Sequence, residues 1–353
     1  NPAGIFHGII NPQDGAHARF NRAAALEAQR AVRQAIDRSG VDGGVDGLLR
    51  LETSGRDIET MRAVLANLGL PSDYIEALDA RAASERCGLP LRHPAWFYPG
   101  GGWVQPAALA RAWLDAAAPL ARFRGGVQVH ALQRSAHAWR LLDAGGHVID
   151  EAAVVVLANA GDALRLLDDP PWPVETLRGQ VSLWPQPRIA LPRIPIAGAG
   201  YLLPEVDGQA VFGATTQSGD DDPAVRDADH AHNLAQLARL TNTAIDVDPQ
   251  ELGGRTAWRS VSDDRLPIIG AVPDRIAASV AGTRLDQPRF VPRLPGLFVF
   301  TALGSRGITW SALGAQLLAS AVGGAPSPLE ASLLDAVDPA RFVTREARRA
   351  TRE

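Results

Sequence analysis

The chain has 353 residues, 46% of them hydrophobic, with 35 basic against 39 acidic side chains for a net charge of -4. That size suits two domains, and that balance gives no global attraction to nucleic acid or an anionic membrane. The single cysteine, Cys87, excludes an internal disulfide and a cysteine-built metal cluster and fits a reducing, cytoplasmic setting, while the absence of lysine excludes lysine catalysis and a lysine-tethered cofactor.

The opening Asn1-Pro2-Ala3-Gly4 carries no basic, apolar leader and reads as the interior of a loop, so a piece of a longer chain is expected. Apolar and alanine positions then recur at helical spacing over 16–39, with Gly40 placed to end the helix in a left-handed residue. Two further helices are expected at 58–68 and 72–86, the second capped by Ser72, and a fourth at 106–117 after the Gly100-Gly101-Gly102 turn. Alternation predicts strands at 126–132 and 138–143 joined by a hairpin turn near Ser135 and His137. The run from Ala153 to Ala158 is continuous and β-branched, as in a strand buried on both faces of a parallel sheet.

Antiparallel strands follow at 176–184, 200–204 and 209–215, with Asp207-Gly208 turning between the last two, and a helix at 224–240. A strand at 296–301, a glycine loop at 303–307 and a helix at 309–322 close the pattern, and the arginine-rich tail 345–353 reads as frayed or solvated. No apolar run approaches the ~20 residues of a membrane-spanning helix.

Three stretches carry chemistry. In the first, Val155-Val156-Leu157 opens onto Ala158, Asn159, Ala160 and Gly161, small residues that let a backbone approach a bulky cofactor; an ordinary strand end with a tight turn is the alternative. In the second, the strand ending at Thr301 leads through Gly304, Ser305, Arg306 and Gly307 into a helix, whose free amino-terminal N–H groups suit a pyrophosphate or an anionic ring edge; a generic strand-to-helix connection is the alternative. In the third, Arg259 follows a predicted strand and offers a planar fork for a carboxylate, against the alternative of an ion pair with Asp263 or Asp264.

His7, His17 and His93 have no metal-ligand spacing and receive no role, and no metal site is expected. Trp96, Phe97 and Trp103 suit either a planar ligand or the core. No nucleophile elbow supports hydrolase chemistry.

Taken in order, these stretches resemble the FAD-dependent oxidoreductases of the D-amino-acid-oxidase family. The resemblance lies in Asn1 to Gly4, Gly100 to Pro106, Val154 to Gly161, Arg178 to Ser182, Arg259 to Gly270 and Thr301 to Gly307. Within the family the strings Ala-Leu-Gly-Ser-Arg-Gly and Arg-x-x-x-x-Asp-x-Leu-Pro-x-x-Gly are similar to the oxidase module of bifunctional enzymes that modify the wobble uridine of tRNA. In those enzymes a methyltransferase module comes first.

The resemblance implies a mixed α/β fold: a Rossmann-like FAD-binding domain, short of its amino-terminal Gly-x-Gly-x-x-Gly unit, interleaved with a substrate domain on an antiparallel sheet. It divides the chain into flavin segments 1–40, 96–172, 258–275 and 296–325, substrate segments 41–95, 173–257 and 276–295, and a tail 326–353. It sets Asn1, Ala3 and Gly4 against pyrophosphate and flavin, Val127 on the adenine side, and Ala158, Asn159 and Gly161 on the cofactor. Gly304, Ser305, Arg306 and Gly307 fall on the flavin ring, with Arg259, and Arg306 beside it, on the substrate carboxylate. The implied cofactor is FAD and the implied partner tRNA; Cys87, in a predicted helix away from the cofactor motifs, points to noncovalent binding. A free amino acid oxidase and a cofactor-free binding module are the rival functions, the first favoured by the acidic balance, since tRNA affinity rests on phosphate contacts.

Overall fold

The computed structural model describes residues 1–118 and 120–350 and divides into two compact units, Asn1–Arg122 with Leu177–Trp258, and Phe123–Thr176 with Arg259–Glu353. Among the described residues no helix is long and apolar enough to cross a membrane, and no cluster of His, Cys, Asp or Glu could hold a metal ion.

The first unit begins with the strand Gly4–Phe6, paired antiparallel with Gly102–Val104. The helix Ala16–Ser39 follows, burying Ala18, Phe20, Ala24, Ala28, Val32 and Ala35 and ending at Gly40 with φ 62. Alanines at that spacing give a narrow apolar stripe, and a left-handed glycine frees the chain to turn off the helix. The helices Ile58–Leu68, capped by the Asp57 carboxylate, and Pro106–Ala117, with proline in its first turn, stand where the periodicity places them.

The expected helix at 72–86 is corrected. Glu76–Leu78 is a strand paired with Ala95–Tyr98, and the helix starts only at Ala80, where the Asp79 side chain accepts from the Ala82 N–H. A true N-cap at Asp79 and pairing with a distant strand outweigh the local periodicity.

The large sheet of this unit includes Leu48–Leu51, Ala95–Tyr98, Ile196–Ala197, Tyr201–Leu202 and Gln209–Gly213; these five pair antiparallel apart from Ile196–Ala197 with Leu48–Leu51. Asp207 and Gly208 both take positive φ between the last two, the left-handed pair of a tight hairpin turn. The helix Asp227–Thr241 sends Leu237 and Leu240 into a core with Leu49, Phe97, Trp184, Ile196 and Phe212. Trp96, Phe97 and Trp103 are all buried and serve packing. Cys87 is fully buried at the end of its helix, and burial raises its thiol pKa.

In the second unit Val155–Leu157 runs parallel to Arg293–Thr301, which pairs antiparallel with Ile268–Pro273 on its other side. Val155, Leu157, Ile268, Leu297 and Val299 meet Trp139, Trp172 and Phe342 in one core, each fully buried aliphatic contributing about 1.5–3 kcal/mol. The strand Val155–Leu157 is not buried on both faces. It stands at the edge of a three-stranded sheet, and Val154 and Val156 are 41% and 42% exposed.

A second small sheet joins Ala131–Arg134, Trp139–Leu142 and Val148–Ala152, with the Ser135 hydroxyl closing the turn onto Ala138. The strand expected over 126–132 begins only at Ala131. Just before it, the Arg165 guanidinium donates to the carbonyls of Val129 and His130, so a side chain there takes acceptors a ladder would use.

The helix Gly307–Gly323 packs on Arg293–Thr301. A Cβ on Gly314 would lie 2.3 Å from the Phe300 ring, so glycine sets how closely the two approach. The tail is helical, not frayed, over its described residues, as part of Arg341–Ala350, and largely solvated: Glu346 and Arg348 to Ala350 are exposed, while half-buried Arg345 binds Asp264. The last positions of that expectation, 351–353, lie outside the described residues.

Candidate active site

Three segments of the second unit converge at the carboxyl ends of its parallel strand pair. The first, Ala158 to Gly161, leaves Val155–Leu157 with Ala158, Asn159 and Ala160 exposed, and Ala160 holds φ 54. The second leaves Arg293–Thr301 through Ala302 at φ 57 and Gly304 at φ 53, makes one 3-10 turn over Gly304–Arg306, and enters the helix Gly307–Gly323. A left-handed backbone costs a residue with a Cβ about 1–2 kcal/mol, so the two alanines need contacts that hold them there. The third is the end of Gly253–Ser262, which carries Arg259.

Named contacts join these segments. The Thr301 hydroxyl, 1% exposed, donates to the Ala160 carbonyl at 2.6 Å, tying the first loop to the second. Val261 forms an isolated antiparallel bridge with Leu303, and a Cβ on Gly304 would meet the Val261 side chain at 3.4 Å. On the opposite face of the same strand, Ser260 Oγ would lie 2.8 Å from a Cβ on Gly161. Side chains alternate along a strand, so half-buried Arg259 shares the face of Val261, about 7 Å along from the residue that touches the Gly304 turn.

Electrostatics fit an electron-rich ligand. Arg306, the N-cap of Gly307–Gly323, makes no side-chain cap bond, and a 17-residue helix presents about half a positive charge at its amino end. At the first loop Asn159 and Arg165 both bind the Asp162 carboxylate, and the Arg165 guanidinium holds its pKa below the usual range. The same guanidinium fixes the backbone just after Val127, which is itself 44% exposed. Asp264, one of the acids offered to Arg259 by the ion-pair reading, is bound by both Arg341 and Arg345, and Asp263 lies 3.8 Å from Arg345.

The second unit thus brings together the three segments that carry Ala158, Asn159 and Gly161, Gly304 to Gly307, and Arg259. Asn1, Ala3 and Gly4 belong to the first unit, with Ala3 fully buried and Gly4 in the strand beside Gly102–Val104. Sequence reasoning missed Thr301, Ser260 and Arg165. A hydroxyl ending the apolar run Leu297-Phe298-Val299-Phe300 was the one visible signal.

Small residues, left-handed turns and an uncapped helix end are what a dinucleotide cofactor needs at the carboxyl ends of parallel strands, so the residues present fit FAD.

The curated relatives include the tRNA 5-methylaminomethyl-2-thiouridine biosynthesis bifunctional protein MnmC of Methylibium petroleiphilum, 48% identical over 97% of this chain and 54% of that protein. The protein of the same name from Burkholderia multivorans is 41% identical over 99% and 54%. The chain therefore spans about half the length of the curated relatives it matches.

Among solved structures, glycine oxidase from Geobacillus kaustophilus superposes with a TM-score of 0.70 at 21% identity, covering 89% of this chain and 81% of that one. L-proline dehydrogenase from P. horikoshii gives 0.71 at 14% identity, covering 96% and 87%. These likenesses carry the fold. The FAD dependent oxidoreductase (DAO) family profile matches residues 1–321, and the chain belongs to that family.

Proposed function

We propose that this chain is the oxidase part of a tRNA-modifying enzyme, removing the carboxymethyl group from carboxymethylaminomethyluridine at the wobble position to leave aminomethyluridine and glyoxylate. The observation that carries it is the Val261–Leu303 bridge, which sets the strand of Arg259 against the glycine turn, together with 48% identity to a protein named for this pathway.

FAD, when bound, would supply the two-electron acceptor that takes the hydride. The carbon between the amine and the carboxylate gives up a hydride, the amine nitrogen loses its proton, and water splits the resulting imine into the primary amine and glyoxylate. Arg259 holds the substrate carboxylate and Arg306 adds positive charge beside it; the chain's task is to orient the carbon and exclude water. Gly304 to Gly307 would hold the flavin ring, Ala158, Asn159 and Gly161 the rest of the cofactor, and Val127 its adenine side. Asn1, Ala3 and Gly4 enter by family resemblance alone. Segments 1–40, 96–172, 258–275 and 296–325 would make the flavin side, and 41–95, 173–257 and 276–295 the substrate side.

The test is steady-state oxidation by the full-length protein of tRNA bearing the modified base, beside free glycine and sarcosine. Arg259→Ala should lose about 10- to 100-fold in kcat/KM, the range for one charged hydrogen bond in a desolvated site. Unchanged kinetics would remove Arg259 from the carboxylate, and turnover of the free amino acids alone would overturn the tRNA substrate.

A further inference from the structure

We propose that Thr301 is a positioning residue that sets the first cofactor loop against the second, so that its hydroxyl governs FAD affinity without touching the substrate. The inference rests on the FAD reading above and deepens it.

Thr301 is the last residue of Arg293–Thr301, and its neighbour Ala302 begins the turn with φ 57. Across the parallel pair, Leu157 ends its own strand and Ala160, at φ 54, stands in the facing loop. A side-chain hydrogen bond joins these two loops, from the Thr301 hydroxyl to the Ala160 carbonyl, at 2.6 Å. It fixes the peptide that precedes Gly161 while Ala160 sits in a conformation an alanine would otherwise leave. With Ala160 exposed and Thr301 1% exposed, the bond is anchored in the core on one side and ends at the loop surface on the other. Without the donor, the Ala160 carbonyl keeps only the longer bond from the Ala163 N–H, at 3.3 Å, and the loop is freer to relax from its left-handed turn.

The experiment compares the full-length protein with Thr301→Val, which keeps the shape and loses the donor, and Thr301→Ser, which keeps the donor. The dissociation constant for FAD is read by flavin fluorescence quenching on the stripped protein, beside the visible flavin band and the melting temperature. The valine variant should bind FAD about tenfold more weakly, with a shifted flavin band, while serine restores affinity to near the parent value. Equal FAD affinity in parent and valine variant, even with a lowered melting temperature, overturns the inference and leaves a packing residue. A serine variant as weak as valine overturns it too.

Should the valine variant not fold, Thr301→Cys, of similar volume with only a weak donor, takes its place under the same expectation. A parent protein that binds no flavin sinks both this inference and the proposed function. One that binds flavin but leaves modified tRNA untouched sinks only the latter.

Discussion

Replacing Gly161 by alanine tests whether the first loop and the Arg259 strand touch as closely as described. The backbone there, φ -63 and ψ -30, suits any residue, so conformational strain does not enter. Space does. The new Cβ would lie 2.8 Å from Ser260 Oγ, well inside van der Waals contact, while the next atom, Thr176 Oγ1, is 3.8 Å away. Ser260 is 8% exposed, so its hydroxyl has little room and must leave its rotamer well or push the strand. Off-rotamer strain and mild overpacking together come to about 1–2 kcal/mol, a melting temperature lower by about 3–6 °C for a unit of this size.

Ser260→Ala removes the offending atom and leaves nothing within 3.4 Å of the new methyl. The double variant should therefore melt no lower than Ser260→Ala alone, since glycine to alanine at a relaxed backbone position stabilises by about 0.4–1 kcal/mol through the unfolded state. Thermal melts followed by circular dichroism on the four proteins close the cycle. If Gly161→Ala melts with the parent, or the double variant melts as low as Gly161→Ala, the close approach of Gly161 to Ser260 is wrong and the three-segment site with it.

Gly102→Ala should be far worse, because its Cβ would stand 1.9 Å from the Gly44 carbonyl oxygen, a backbone atom that cannot step aside without breaking the pairing of Gly43–Gly44 with Gly102–Val104. A loss of about 3 kcal/mol or more is expected, seen as early cleavage in limited proteolysis, and normal resistance would refute it. Asp264 gives a pH dependence. Burial pushes its carboxyl up, but the hydrogen bonds and charge of Arg341, with Ser262 and Arg345, outweigh this and hold it at about 2. A depressed carboxyl stabilises fully above its unfolded value near 4 and loses that contribution as pH falls toward 2. Asp264→Asn should lower stability at pH 7 by about 3 kcal/mol, by stranding the buried Arg341, and flatten the acid limb between pH 4 and 2; a denaturant titration across that range with parallel curves would refute the assignment.

Long elements were legible because one period governed them. The stripe of Ala16–Ser39 and its Gly40 terminator are local facts, as is the turn at Asp207-Gly208. What failed was decided at a distance. Residues 76–78 read as helix until Ala95–Tyr98 pairs with them, and the tail reads as frayed until Asp264 binds Arg345, 81 positions away in sequence. The strand at Val155–Leu157 was found, but its exposed Val156 was not, because a β-branched run carries no mark of which face is covered. Glycines and Arg259 stood out by type and order, whereas Thr301 and Ser260 acquire meaning only through what they touch.

That distinction bears on how the site would work. Ala160 and Ala302 keep left-handed backbones, and the bond from Thr301, the Val261–Leu303 bridge and the contact at Gly304 are all made by the chain itself. The two loops therefore reach their shape on folding, and a cofactor entering them need not supply the ordering free energy that a floppy loop would demand. The strand that carries Arg259 is likewise held, paired through Val261 with Leu303 and lying against Gly161 through Ser260. The Arg259 guanidinium, carried on this strand, would hold a carboxylate so that the neighbouring carbon faces the flavin, the positioning that the proposed reaction would ask of the protein.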